Sequence, residues 1–252
     1  MGEALIGGLL ESGWTVAAGL RVVEPVAARR AELLDRFPGV EVTTDLAAGA
    51  DHLIAVKPGE VAGVCRALAE LGGVRRVLSV AAGVPTACLE EALGTGVAVV
   101  RAMPNTPALI GMGAAAIAGG TAATAEDLDW AESVLTAVGV VARVEESQID
   151  AVTGLSGSGP AYVFLVAEAM IEAGVLVGLS RPVAERLAVQ TLVGSAALLQ
   201  SGDRSAADRR ADVTSPGGTT AAGLQVLERA AVRAAFLDAV AAATARSAEL
   251  GR

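Results

Sequence analysis

Aromatic residues are nearly missing from this 252-residue chain: Trp, Tyr and Phe together make up 2% of it. Large rings usually dominate core energetics, so here the cores must be built from small aliphatic side chains. Lysine and histidine occur once each, as Lys57 and His52. The two cysteines, Cys65 and Cys88, lack the spacing of metal ligands, which points to ordinary thiols in a reducing cytoplasm and to no metal site. Positive charge is in deficit. A formal net charge of −9 with no basic stripe argues against a nucleic-acid partner. No basic residue precedes the first apolar run, so no secretory signal is read there. The longest uncharged stretch, 102–125, carries Pro104, Pro107, Gly111, Gly113, Gly119 and Gly120. A membrane-spanning helix needs about 20 apolar residues without such breaks, so the stretch reads as loop, strand and turn. A soluble, cytoplasmic protein is expected, with neither nucleic acid nor membrane as partner.

Hydrophobic residues supply 53% of the chain, mostly as Ala, Val and Leu, and they are arranged in two patterns. Up to about residue 145, short Val/Ile/Leu runs alternate with segments of helical spacing. Helices are predicted over 1–12, 27–36, 61–71 and 86–93, and strands over 21–23, 40–43, 52–56, 77–80 and 97–100. Such alternation implies a mostly parallel sheet covered on both faces. From about 150 onward the strand signal stops. Residues 160–177, 182–200 and 219–250 all have helical period, the first two with a proline near the first turn. The predicted organisation is an α/β domain over 1–148 and an all-helical domain over 149–252.

Chemistry concentrates in the stretch D-V-T-S-P-G-G-T-T-A-A-G-L at 212–224. Pro216 stops one element, Gly217 and Gly218 permit a tight turn, and Thr219 opens a helical run. A helix start of this composition offers free backbone N–H groups and hydroxyls, and its dipole favours an anion. A well-capped helix start would explain a lone Gly-Gly-Thr. The second unusual loop, R-A-M-P-N-T-P at 101–107, favours a pocket for a small carboxylate instead. At the other end, Gly2 begins a helix and Glu24 lies 22 positions further on, at the end of the next strand. That is the spacing of the third glycine of a dinucleotide turn and the acidic residue that holds the adenosine ribose.

These stretches, together with M-G-E-A-L-I-G-G-L-L at 1–10, A-V-K-P at 55–58, R-A-M-P-N-T-P-A-L at 101–109, L-S-G-S-G-P-A-Y-V-F at 155–164 and T-S-P-G-G-T-T-A at 214–221, resemble the pyrroline-5-carboxylate reductases. The motifs follow the family's order along nearly the whole chain. The resemblance implies a Rossmann-like domain followed by a helical domain that interlocks with its mate in a homodimer, or in larger rings of dimers. It implies hydride transfer from NADPH, with NADH possible, to the cyclic imine 1-pyrroline-5-carboxylate. The active site would combine both domains, the helical one partly from the neighbouring subunit. A different imine or keto-acid reductase of the same architecture, or a non-catalytic or weakly active truncated homologue, are the alternatives.

Carried onto this sequence, the resemblance gives the substrate to Ser215, Gly217, Gly218, Thr219 and Thr220. The Gly218 and Thr219 amides and the Ser215 hydroxyl would hold the carboxylate, and Thr220 would guide the ring nitrogen as the catalytic contact. The cofactor would meet Gly2, Glu24, Ala55, Val56, Lys57, Pro58, Asn105 and Thr106. Lys57 reads either as a ligand contact or as a surface lysine beside a turn proline. Asn105 reads either as a border of the nicotinamide or as the hydrogen-bonding residue of a rigid turn. Arg29 and Arg30 can accept a 2′-phosphate that Glu24 would repel. His52, Tyr162 and Gly157–Pro160 read as packing residues.

Three departures from the family pattern stand out. Met1 matches the methionine just before the third glycine, so the first strand and the first two glycines of the dinucleotide turn have no counterpart. Arg204-Ser205 replaces a usual His-Pro, and Asp203 stands roughly where members carry an acidic residue. Glu24 and Arg29/Arg30 leave the choice of cofactor divided. The first departure generates a prediction. Without its first, central strand a doubly wound sheet has unpaired backbone groups and a gap in its core. The chain as given is expected to bind NAD(P)H weakly. Adding about ten residues, an apolar strand that ends in Gly-x-Gly, should raise both melting temperature and affinity. Cooperative melting, micromolar NADPH binding and full turnover without the addition would sink the idea.

Overall fold

The computed structural model describes residues 1–49, 51–202 and 204–251; Asp203 lies outside them. The first half alternates as its pattern predicts: α1 (Gly2–Glu11), β1 (Arg21–Val23), α2 (Ala27–Arg36), β2 (Glu41–Thr43), β3 (Asp51–Ile54), α3 (Pro58–Leu71), β4 (Arg76–Ser79), α4 (Thr86–Leu93) and β5 (Ala98–Met103). A 3-10 turn over Thr106–Ile110 leads into β6 (Gly113–Gly119), followed by α5 (Ala125–Thr136) and β7 (Gly139–Arg143). The 102–125 stretch is thus strand end, turn and strand.

The strands form two sheets. β1 pairs in parallel with β2, and the five remaining strands lie in the order β3-β4-β5-β6-β7, parallel except between β5 and β6. The exception follows from chain length. A parallel crossover needs about a dozen residues or more, and the connection from Met103 to Gly113 is shorter than that. β4 is buried throughout and β5 as far as Ala102, whereas β1 exposes Arg21 and Val23 and β3 exposes Asp51. No ladder joins β1 to β3 among the described residues, so the strands are interrupted between these two.

Helix α1 spans the interruption. A 10-residue helix is marginal alone, but its buried Leu5 and Leu9 pack with Leu78, Val100 and Ile117 of the larger sheet. Its Ile6 and Leu10 pack with Leu33, Phe37 and Val40 beside the smaller one. Each fully buried leucine contributes about 1.5–3 kcal/mol. At the first residues of β3 and β4, buried Arg76 forks onto Asp51 with both bonds at 2.9 Å and lies 4.4 Å from the Trp130 ring centroid. That tie fixes α5 against β3 and β4.

The second half is helical: α6 (Ile149–Val152), a wider π-turn over Thr153–Gly157, α7 (Gly159–Leu176), α8 (Arg181–Gln200), α9 (Ala206–Asp212), α10 (Thr219–Arg229) and α11 (Val232–Leu250). Compactness divides the chain after Ser158 rather than after residue 148, and returns residues 241–252 to the first unit. The physical reason is local. Ile149 is fully buried with Ala116 and Ala118 of β6, and Ser247 Oγ donates to Asp150 Oδ1 at 2.7 Å. In the second unit, Gly159–Val240, helices α7 and α10 bury no residue completely, and Phe164, Leu165, Leu176, Val177 and Leu237 are exposed. By length and composition alone, the run Glu146–Leu176 is also apolar enough to cross a membrane.

The helical run read over 219–250 is two helices. Ala231 stands between them at φ 56°, the left-handed region, and Arg233 reaches back across the break to both carboxylate oxygens of Glu228, at 2.8 and 2.9 Å. Hydrophobic periodicity continues through the break and neither Gly nor Pro marks it, so the pattern hides it. Alanine in that region costs about 1–2 kcal/mol. Ala231→Gly is therefore expected to stabilise the chain by about 0.5–1 kcal/mol, net of the flexibility that glycine adds to the unfolded state. An unchanged or lower denaturant midpoint would refute the strain.

Candidate active site

The start of α1 gathers several of the residues singled out in the sequence. A Cβ placed on Gly2 would stand 3.3 Å from the Ala55 Cβ, so the first turn of α1 runs close beside the end of β3. Close approach without a side chain is what a dinucleotide phosphate needs at a helix N-terminus. Ala55 and Val56 continue from β3 into Lys57, the N-cap of α3, and Pro58 fills the first helical position, where no N–H is needed. Lys57 and Pro58 are exposed, and the lysine makes no ion pair among the described residues. Glu24 follows β1. Its Oε1 accepts the Val26 N–H at 2.8 Å, which ties the carboxylate to the turn that starts α2.

Two arginines near this turn differ. Arg29 pairs with Glu3 of α1 and, at 2.6 Å, with Glu32, while Arg36 also pairs with Glu3. The Glu32 and Glu3 carboxylates hold the Arg29 guanidinium above its ordinary pKa. Arg30 instead donates Nη1 to the carbonyl oxygens of Glu24 and Pro25, at 2.9 and 2.8 Å. Glu3 carried no signal in the sequence; its position one residue past Gly2, in the first turn of α1, is what brings it to both arginines.

At the end of β5, Asn105 spends its side chain on the backbone. Nδ2 donates to the Ser156 carbonyl at 3.0 Å and Oδ1 accepts the Ala114 N–H at 2.9 Å. Of the two readings of Asn105, the hydrogen-bonding turn is the one these bonds describe, and it links the loop to the π-turn. Thr106, next in line, is exposed at the start of the 3-10 turn. Gly157 packs on Met103: a Cβ there would stand 2.5 Å from the Met103 Cε. Beneath the loop, Glu146 accepts the Thr86 amide at 2.6 Å, the Thr86 hydroxyl, and Arg101 Nη1 at 3.3 Å. Burial pushes the Glu146 carboxyl up, but the Thr86 and Arg101 bonds outweigh it and hold the group below the usual carboxylate range. Sequence reasoning missed this cluster, whose members lie far apart in the chain and in no motif. His52 Nε2 sits 3.0 Å from the Gly49 carbonyl, a backbone tie away from the motif loops.

The Ser-Pro-Gly-Gly-Thr-Thr loop belongs to the second unit. Gly217 has φ 70°, which turns the chain into α10, and Gly218 is the N-cap. The Gly218 N–H donates to the Ser215 carbonyl at 3.0 Å, so it is not available to a ligand. That corrects the expected pair of Gly218 and Thr219 amides. The first helical bond into Gly218 comes from Ala222, which leaves the amides of Thr219, Thr220 and Ala221 as the open donors of the first turn. No side chain caps α10, and the Ser215, Thr219 and Thr220 hydroxyls hold no partner among the described residues. Three amides, three hydroxyls and a helix dipole suit a carboxylate. A cleft of about 400 Å³ lies elsewhere, between Glu3, Gly7, Phe37 and Ile110, and holds none of the residues assigned to substrate or cofactor; the chemistry of the loops outweighs its concavity.

Comparison with known proteins decides the family. Residues 146–250 match the family model described as pyrroline-5-carboxylate reductase dimerisation. The pyrroline-5-carboxylate reductase of Corynebacterium melassecola is 41% identical, with 100% of this chain and 96% of that protein covered. The chain belongs to the pyrroline-5-carboxylate reductase family. The reductase of Mycobacterium tuberculosis is 45% identical over 99% of this chain and 93% of its own. Among solved structures, the Coxiella burnetii pyrroline-5-carboxylate reductase superposes with a TM-score of 0.95 at 36% identity, covering 100% of this chain and 95% of that one. The Plasmodium falciparum pyrroline carboxylate reductase, solved with NADP bound, gives 0.84 at 27% identity, again over 100% and 95%. These matches fix the architecture as a Rossmann-like α/β domain followed by a helical dimerisation domain.

Proposed function

We propose that this chain is an NAD(P)H-dependent oxidoreductase that reduces 1-pyrroline-5-carboxylate to L-proline in the cytoplasm, with NADPH as the favoured donor. The observation that carries the reading is the set of donors in the Ser215–Ala221 loop that no other described residue satisfies, in a chain 41–45% identical to named reductases over nearly its full length. The amides of Thr219, Thr220 and Ala221 and the Ser215 hydroxyl bind the substrate carboxylate. Gly217 shapes the turn, and Gly218 carries its N–H back to Ser215. Thr220 aligns the ring nitrogen by a hydrogen bond. The nicotinamide, when bound, supplies the hydride. Gly2, Glu24, Ala55, Val56, Lys57 and Pro58 line the cofactor, and Thr106 borders it on the loop that Asn105 braces.

No histidine or cysteine dyad is required. A cyclic imine that already carries its own proton offers an activated carbon, so the new C–H bond forms as the C=N electron pair returns to nitrogen. What the residues must supply is orientation, an effect that can contribute about 7–11 kcal/mol. Thr220→Ala is expected to lower turnover about tenfold or more, since it removes one hydrogen bond to the reacting ring. NADPH affinity should stay within about twofold, because the hydroxyl meets substrate rather than cofactor. Unchanged steady-state kinetics with pyrroline-5-carboxylate would remove Thr220 from the site. A second reading, a weakly active homologue, draws on the interruption between β1 and β3. Titration of the unaltered chain with NADPH separates the two.

The assembly follows from the helical surface. Apolar residues exposed along α7, α8 and α11 exceed what a soluble monomer leaves in water, and the matching family model is one of dimerisation. The chain is a homodimer, or a larger ring built from such dimers. Light scattering at micromolar concentration should give at least twice the chain's 25.0 kDa; a monomer would contradict it.

A further inference from the structure

We propose that Arg30, and not the neighbouring Arg29, is the residue that selects a 2′-phosphorylated dinucleotide. This rests on the cofactor reading above and deepens it. Both arginines lie early in α2, directly after the end of β1, where an open α/β sheet presents its ribose contact. They differ in charge balance. Arg29 is held between the carboxylates of Glu3 and Glu32, and Glu3 is shared with Arg36. Two arginines and two glutamates cancel, so that cluster offers a phosphate no net attraction.

Arg30 is held by two carbonyl oxygens, those of Glu24 and Pro25. Carbonyls fix the direction of a guanidinium without neutralising it. Only Nη1 is used; Nη2 and Nε have no hydrogen-bond partner among the described residues, and they form an edge suited to two phosphate oxygens. The carboxylate that would repel such a phosphate belongs to Glu24, and the Val26 N–H at 2.8 Å pins it to the turn. The same turn thus restrains the anion and orients the cation.

Calorimetric titration of the full chain with NADP⁺ and with NAD⁺ tests this. Arg30→Ala should weaken NADP⁺ binding about tenfold or more while NAD⁺ changes less than about twofold. Arg30→Gln, which keeps a donor for the Glu24 and Pro25 carbonyls but carries no charge, should show the same selective loss with an unchanged circular dichroism spectrum. Arg29→Ala should leave the ratio of the two affinities within about twofold. If Arg30→Gln binds both dinucleotides in the original ratio, or if Arg29→Ala is the variant that shifts it, the assignment is wrong. If the unaltered chain binds neither dinucleotide, the cofactor reading itself fails and the assignment falls with it.

Discussion

The first unit depends on the two-sided packing of one short helix. Between β1 and β3 there is no ladder, so backbone hydrogen bonds cannot hold the two-stranded and five-stranded sheets together. Helix α1 does so with side chains, Leu5 and Leu9 on one core and Ile6 and Leu10 on the other. Hydrophobic contact is non-directional and tolerates relative sliding in a way that a strand ladder does not. Direction is restored by charge. Glu3 is half-buried at the start of α1 and takes Arg29 and Arg36 of α2, one on each carboxylate oxygen. That pair of contacts fixes the helix carrying Gly2 against the turn carrying Glu24, and so sets the surface on which a dinucleotide would lie.

The same arrangement explains why small residues dominate. Gly2 beside Ala55 and Gly157 beside Met103 are places where one more carbon would force neighbours to move. In each pair, a motif residue from one part of the chain approaches backbone or side chain from another. The motifs are therefore as much about distance between elements as about contact with ligand. Asn105 makes the point most directly: both hydrogen bonds of its side chain join backbone, Nδ2 donating to the Ser156 carbonyl and Oδ1 accepting the Ala114 N–H.

Alternation of strands and helices was legible in the first half because each element carries its own period and its own boundary residue, such as Pro58 at the first position of α3 or Gly94 after α4. The Ser-Pro-Gly-Gly-Thr-Thr loop was legible for the same reason: Pro216 and Gly217 have strong local preferences that survive any tertiary context. What remained hidden was of two kinds. The break at Ala231 has no local mark, since alanine is the strongest helix former and its left-handed backbone is held by the structure around it. The Glu146–Thr86–Arg101 and Arg76–Asp51–Trp130 clusters join residues distant in sequence, and pairing of that sort follows from the completed sheet, not from any window of the chain. Which amide of the Gly218–Thr219 pair stays free belongs to the same class, because it depends on how tightly Gly217 turns.

Composition and assembly form one argument. With 2% aromatics and a core of leucine, valine and alanine, each buried side chain removes less apolar area than a ring would, and a thin layer of helices cannot close over itself. The first unit escapes this by stacking helices on both faces of a sheet, which buries β4 throughout and β5 as far as Ala102. The helical unit has no sheet. Its α7 buries none of its 18 residues within the chain, so the free energy that holds its apolar residues out of water must come from another surface. An isologous partner would supply that surface at no cost in sequence, because one apolar face serves both subunits. On this view, dimerisation is the way a helical domain without a sheet acquires a core.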